Sequence, residues 1–295
     1  MRKLRSFRGL SLLLLSLFLL VQIAAAQPRR STPTPSPQGT PAASGTPLPW
    51  DSAITSLRFR EIGPATMGGR INDIEVVDSD PRIIYAATAS AGIVKSVNGG
   101  TSWTFLFDKE AVSSVGDVAI APSNPSIVWA GTGESNNRQS SSWGNGVYRS
   151  MDAGKTWKHM GLDNTMAIAR VVIHPTNPDI VYVAATGNLW SASPERGVFR
   201  TMDGGKTWQQ VLKANDDTGA TELVIDNESP TILYAAMYQR RRTVFGFNGS
   251  GEHSALYKTN DGGDTWTKVT RGLLYHIDNV PTPRSENFSQ TGRIS

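Results

Sequence analysis

The chain has 295 residues, no cysteine, and 29 basic against 25 acidic side chains. Four of the basic residues, Arg2, Lys3, Arg5 and Arg8, crowd into the extreme N-terminus with no acidic partner, so the remainder balances at 25 against 25. That balance excludes a basic footprint for nucleic acid, and the missing cysteines exclude disulfides and a lipidated-cysteine anchor.

After the basic residues comes an apolar run from Leu10 to Ile23 and then Ala24-Ala25-Ala26 before Gln27. This is the pattern of a secretory signal peptide over 1–26, with cleavage between Ala26 and Gln27, and the run is short for a membrane span. The expected location is therefore secreted, periplasmic or extracellular, with no membrane attachment once the leader is removed. Residues 27–57 are rich in Pro, Ser and Thr, a composition that cannot bury enough apolar surface to offset chain entropy, and read as a disordered linker.

From residue 58 onward the sequence repeats. An eight-residue phrase appears four times, as Ser96-Val97-Asn98-Gly99-Gly100-Thr101-Ser102-Trp103, Ser150 to Trp157, Thr201 to Trp208 and Thr259 to Trp266. Its third position falls at Asn98, Asp152, Asp203 and Asp261, at intervals of 54, 51 and 58 residues. Upstream of each copy stands an x-Pro turn leading into β-branched and aromatic residues: Asp80-Pro81 before Ile83-Ile84-Tyr85, Asn124-Pro125 before Ile127-Val128-Trp129, Asn177-Pro178 before Ile180-Val181-Tyr182, and Ser229-Pro230 before Ile232-Leu233-Tyr234. Each repeat thus holds four short strands, A to D, and no apolar stripe of helical period.

Four-stranded units at this spacing predict an all-β protein, a β-propeller with blades near 58–108, 109–160, 161–212 and 213–270. A parallel β-helix competes less well because its coils are shorter. Residues 271–295 read as loop and the start of a further blade, since Thr291-Gly292-Arg293-Ile294 echoes Gly68-Gly69-Arg70-Ile71; the expectation is about four blades plus the start of a fifth, the N-terminal part of a larger propeller.

The repeated phrase falls between strands C and D. Its short carboxylate can accept bonds from downstream N–H groups and close a turn, Gly at the fifth position supplies positive φ, and the Trp offers a ring to bury. The structural set is therefore Ser96, Asn98, Gly100 and Trp103; Ser150, Asp152, Gly154 and Trp157; Thr201, Asp203, Gly205 and Trp208; and Thr259, Asp261, Gly263 and Trp266. Asn98 keeps an acceptor oxygen but not an acid, which suits a turn and not acid–base chemistry. Calcium would want more oxygens than most copies offer, only the fourth adding a second carboxylate, Asp264. The histidines, at 159, 174, 253 and 276, have no ligand spacing, so neither metal nor cofactor is expected.

If the phrases occupy C–D turns, the B–C loops lie on the opposite face. Those loops vary in length, and variable loops on a rigid scaffold are where specificity resides. Candidate ligand-binding residues there are Glu134, Asn136, Asn137, Arg138 and Trp143 in one loop, and Trp190, Glu195 and Arg196 in the next. Asp73 and Asp117 are further acidic groups expected on that face, and Arg240-Arg241-Arg242 reads as a solvated charge run.

The four phrases are identified as Asp-boxes, also called BNR repeats. With Gly131-Thr132-Gly133-Glu134-Ser135-Asn136-Asn137-Arg138, Ser142-Trp143-Gly144-Asn145-Gly146-Val147-Tyr148 and Glu195-Arg196-Gly197-Val198-Phe199, the segment from about Phe59 to Val269 resembles bacterial secreted BNR propellers of sortilin (Vps10) N-terminal-like type, related to xyloglucanase and sialidase propellers. The resemblance implies a propeller, and spans enzymes and receptors alike. The xyloglucanase pattern would place a catalytic Asp after Tyr-Ala-Arg-Thr; here Tyr85-Ala86-Ala87-Thr88 is followed by Ala89, so no catalytic residue carries over. A sialidase Arg-Ile-Pro is likewise not matched by Phe59-Arg60-Glu61-Ile62-Gly63-Pro64. The expected function is a binding or scaffold module for a peptide, protein or glycan; the alternative is a xyloglucanase-type glycoside hydrolase whose catalytic residues lie partly outside this chain.

Overall fold

The computed structural model describes residues 69–271; the leader with Ala26 and Gln27, the Pro-rich stretch and residues 272–295 lie outside the described residues. Within them are four antiparallel sheets of four strands, each built in simple chain order. The first holds β1 (Ile71–Val76), β2 (Ile84–Thr88), β3 (Ile93–Ser96) and β4 (Thr104–Phe105). The second holds β5 (Val115–Ile120), β6 (Val128–Thr132), β7 (Val147–Ser150) and β8 (Lys158–His159). The third holds β9 (Ile168–Ile173), β10 (Val181–Ala185), β11 (Gly197–Thr201) and β12 (Gln209–Leu212). In the fourth, β13 (Thr218–Ile225) and β14 (Leu233–Gln239) are followed by a hairpin, β15 (Arg241–Arg242) and β16 (Phe247–Asn248), before β17 (Ala255–Thr259) and β18 (Thr267–Lys268) complete the sheet.

These sheets are the blades of a β-propeller. Their apolar residues form three slabs, each between two successive blades. The B strands show why, because side chains alternate between the two faces of a strand. In β10, Val181, Val183 and Ala185 pack toward the preceding blade, while Tyr182 and Ala184 pack toward the following one. A strand covered on both faces must be apolar throughout, and β10 is buried along its whole length.

Each A–B pair carries a bulge at the same place, giving one extra residue in the A strand: Asn72, Gly116, Ala169 and Thr221. A bulge re-aims the side chain beside it. The residues that follow are Asp73, Asp117, Arg170 and Glu222, and Arg170 meets the other three: Asp117 at 2.9 Å, Glu222 at 2.7 Å and Asp73 at 3.4 Å. Four inner strands thus converge on one guanidinium. Asp117 is buried and also accepts from the Val171 amide at 2.7 Å, while Asp73 accepts from that of Val118 at 3.3 Å. This corrects the expectation that Asp73 and Asp117 sit on the loop face; the bulges turn them inward.

The fourth blade adds two features of its own. Its A strand begins at Thr218, because β14 runs on to Gln239 and pairs it. The β15–β16 hairpin was not anticipated, its two-residue strands being too short to show a period.

The eight-residue phrases occupy the four C–D turns. In each, the first hydroxyl donates to the third residue, as Thr201 Oγ1 to Asp203 Oδ1 at 2.8 Å, and receives the fifth residue's amide, as Gly205 N at 2.9 Å. The Asp203 carboxylate then accepts the Thr207 amide at 3.0 Å and hydroxyl at 2.7 Å. Those hydrogen bonds hold Asp152 near 2, below the usual carboxylate range, and lower Asp203 and Asp261 as well. Asp264 is drawn away from its turn to Arg200, 2.8 Å distant.

Candidate functional site

The B–C loops of the second, third and fourth blades lie on the face opposite these turns, and they are stitched together. Arg240 is buried, and its Nη1 donates to the Ser135 carbonyl at 2.6 Å and to Asn137 Oδ1 at 2.8 Å. Arg242 donates to the Asn137 carbonyl at 2.7 Å and lies over the Phe247 ring, and Arg241 pairs with Asp217. The Arg240-Arg241-Arg242 run is therefore not a solvated stripe. It ties the fourth blade's loop to the second's.

Between these loops opens a cavity of about 150 Å³, with Glu134, Ser142, Trp143, Asn188, Trp190 and Arg240 among its lining. Trp143 is 75% exposed and Trp190 45% exposed, so both indoles present faces to solvent. Their positions follow from neighbours that are pinned. The Gly144 amide donates to the Met166 carbonyl at 2.7 Å, and a Cβ on Gly144 would come within 2.3 Å of the Thr132 carbonyl carbon. With its backbone clamped there, the loop turns the Trp143 ring outward. Beside Trp190, Leu189 is buried and the Asn188 side chain accepts the Trp190 amide at 2.9 Å, an Asx turn that fixes the loop.

Glu134 forms the polar floor. Burial pushes its carboxyl up, but hydrogen bonds from Arg70 and Asn136, with the Arg70 charge, outweigh this and hold it below the usual carboxylate range. It is an anion at neutral pH, a fixed acceptor rather than a proton donor. Asn136 supports it from 2.8 Å.

The other candidates have different fates. Asn137 faces the loop junction, donating to Tyr238 Oη at 3.2 Å. Arg138 is exposed and does not line the cavity. Glu195 is half-buried and accepts from Ser193 Oγ at 3.4 Å, outside the cavity lining. Arg196 is the clear correction: it is fully buried, donating to the backbone carbonyls of Asp217, Arg240, Ser191 and Asn188. An arginine that solvates four carbonyls under a loop cannot meet a ligand. Arg240 and Asn188 were the residues overlooked, and only the arginine run hinted at the first.

Ala89, in the position where the xyloglucanase pattern would put a catalytic Asp, is buried just after β2, its amide on the Arg70 carbonyl at 3.0 Å. A second, wider cavity of about 590 Å³ opens on the side of the A–B turns, lined by Glu75, Arg170 and Glu222 with the ends of the inner strands. Its lining has no aromatic ring, and of its charged groups Glu222 is paired with Arg170.

Comparison with known proteins fits this architecture. The family model of sortilin, neurotensin receptor 3 (Sortilin-Vps10), matches residues 145–279. A xyloglucanase of a Paenibacillus species is 26% identical over 266 residues, covering 79% of this chain and 23% of that protein. The xyloglucanase Xgh74A of Acetivibrio thermocellus is 24% identical over 267 residues, covering 80% and 29%. The chain is a β-propeller related to the xyloglucanase and Vps10-like propellers.

Solved structures agree on the fold of this xyloglucanase-related propeller. An ancestral GH74 enzyme superposes with a TM-score of 0.56 at 21% identity, covering 69% of this chain and 26% of that one. The GH74 xyloglucanase of Xanthomonas campestris gives 0.51 at 18% identity, covering 70% and 31%. The chain thus spans about a quarter of the length of the curated relatives first matched, 23% and 29%. Among the described residues, no helix is long and apolar enough to cross a membrane.

Proposed function

We propose that this propeller is the binding module of an exported, glycoside-hydrolase-like protein, and that it holds a polysaccharide on its B–C loop face between Trp143 and Trp190. The observation that carries the reading is the pair of solvent-facing indoles on one cavity whose polar floor is already fixed by Arg70 and Arg240. An exposed indole gives a sugar ring a flat apolar face, while Ser142 and Asn188, which line the same cavity, offer acceptors and donors for its hydroxyls. Little need be ordered on binding, because the loops are stitched beforehand.

A glycan suits this surface better than a charged peptide: at the cavity the Glu134 anion is paired with Arg70, and buried Arg240 donates to the Ser135 carbonyl and to Asn137. The relatives named xyloglucanases support a β-linked glucan as the ligand class. The leader-like N-terminus supports export. On the loop face Glu134 is held ionised, so it is no proton donor, and Ala89 is apolar; hydrolysis there would draw on carboxyl groups beyond this chain.

Calorimetric titration with xyloglucan oligosaccharides tests the reading. Trp143→Ala and Trp190→Ala should each weaken binding about tenfold, some 1.4 kcal/mol. Unchanged affinity in both variants would overturn the site, and reducing-sugar release by the protein would replace binding with hydrolysis.

A further inference from the structure

Arg196 stands fully buried just before β11, and its guanidinium works as a fork between two loops. Nη1 serves the fourth blade, donating to the carbonyls of Asp217 at 2.9 Å and Arg240 at 3.1 Å. Nη2 serves the Trp190 loop, donating to the carbonyls of Asn188 and of Ser191, the latter at 3.2 Å. The base of the fork is pinned as well, since the Arg196 carbonyl accepts Gln210 Nε2 at 2.9 Å. Gly187 makes room for the stem: a Cβ there would fall 2.4 Å from Arg196 Cγ.

The direction of Trp190 follows from the backbone around it. The Asn188 and Ser191 carbonyls turn down to Arg196, the Leu189 carbonyl accepts the Arg242 amide at 2.9 Å, and the Trp190 amide donates to Asn188 Oδ1 at 2.9 Å. With those groups drawn inward on either side, the indole is left pointing out. The other tine reaches the Trp143 loop through one further residue, because Arg240, whose carbonyl sits on Nη1, holds Ser135 and Asn137 with its own guanidinium.

We propose that Arg196 is the positioning residue of the site, a role that rests on the glycan reading above for its ligand. It touches no sugar, but it sets the Trp190 indole against the second-blade loop that carries Trp143, so that a glycan finds the two rings already spaced. Lysine cannot replace the fork, because a single ammonium nitrogen reaches one pair of carbonyls and not both.

Hydrogen exchange on the ligand-free protein reads the positioning directly. Arg196→Lys should speed exchange at the Trp190 and Arg242 amides, whose acceptors are Asn188 Oδ1 and the Leu189 carbonyl, and leave Val183 and Phe199 in β10 and β11 unchanged. Gln210→Ala, which loosens the base of the fork and keeps the guanidinium, should move the same two amides less. Titration with xyloglucan oligosaccharides should show Arg196→Lys binding about tenfold more weakly, from lost pre-organisation, with no further loss when it is added to Trp190→Ala. Exchange unchanged at Trp190 and Arg242, exchange raised equally at Val183 and Phe199, or equal losses of affinity with and without Trp190 would each overturn the proposal. If the unaltered protein binds no oligosaccharide, the glycan reading fails, and the exchange result alone decides whether Arg196 positions the loop.

Discussion

Arg70 grips Glu134 with two parallel hydrogen bonds of 2.7 Å each, Nε to Oε1 and Nη2 to Oε2, tying the entry of the first blade to the B–C loop of the second. The fork geometry suits guanidinium and carboxylate, and the carboxylate end is fully buried. Glu134→Gln keeps the shape but loses the charge, and should cost about 1–3 kcal/mol at neutral pH. The sign of its pH dependence follows from the lowered carboxyl: the contribution is present above the ordinary value of 4.5 and is lost as pH falls through the folded value. Urea titrations at neutral and at strongly acidic pH should therefore show a gap between wild type and variant that closes in acid; a constant gap would refute the pairing as its source.

Glu75 gives the opposite slope. Burial, aided by the nearby Asp73 charge, raises its carboxyl to about 7, with Arg170 opposing. A raised folded value means that the stabilising contribution is complete below the ordinary 4.5 and disappears as pH climbs through 7. Glu75→Gln should flatten the melting temperature between these values, leaving the variant the more stable protein above them. Parallel profiles for the two proteins would contradict the assignment.

Removing the hub is costlier. Arg170→Met would leave Asp117 buried without its charged partner, a loss of about 3–5 kcal/mol. Because Arg170 reaches carboxylates from three other blades, the damage should spread across the arc. Hydrogen exchange should show faster exchange at the Val118 and Val171 amides, which donate to Asp73 and Asp117. Unchanged exchange there would mean that the carboxylates hold their places without Arg170.

The blades were legible because their signals are local and periodic: an x-Pro turn, a B strand apolar on both faces, a hydroxyl–carboxylate turn closed by Gly and Trp. Arg170 and its partners were not, because their convergence depends on a one-residue bulge repeated in four A strands, and a bulge leaves no mark on apolar alternation. At the loop face, Trp143, Trp190 and Glu134 could be picked out because loop length and residue type advertise them. Arg196 and Arg240 could not be sorted from sequence, since whether an arginine solvates backbone carbonyls or faces water depends on contacts spanning up to 105 residues.

Gly116 tests how tightly the inner strands approach. A Cβ there would lie 2.0 Å from the Ile168 carbonyl oxygen and 2.4 Å from that of Gly133, both backbone atoms that cannot step aside. Gly116→Ala should lose at least about 1–3 kcal/mol, the usual range for overpacking. Gly99→Ala, with nothing within 4 Å of the added carbon, is the control that isolates crowding from backbone strain. It should cost less, although its φ of 67° is positive.

Asn98 shows that the turn does not need an acid. Its Oδ1 accepts the Ser102 amide at 2.9 Å, as Asp203 accepts that of Thr207, but its Nδ2 donates to the Ser102 hydroxyl at 2.9 Å, where Asp203 instead accepts from Thr207. The hydroxyl reverses its role and the turn closes either way. Asp203→Asn should therefore lower the melting temperature only slightly, because Thr207 can rotate to accept. Asp203→Ala removes the acceptor from two amides and two hydroxyls, and should lower it well below the Asn variant. The acid limb separates the two further. The lowered Asp203 carboxyl adds stability above its ordinary 3.8 that is lost in stronger acid, and neither variant has this term. Melting curves of the three proteins from neutral to strongly acidic pH should keep that order at neutrality and converge for wild type and Asn in acid, whereas equal losses in both variants would show that the charge, not the acceptor geometry, holds the turn.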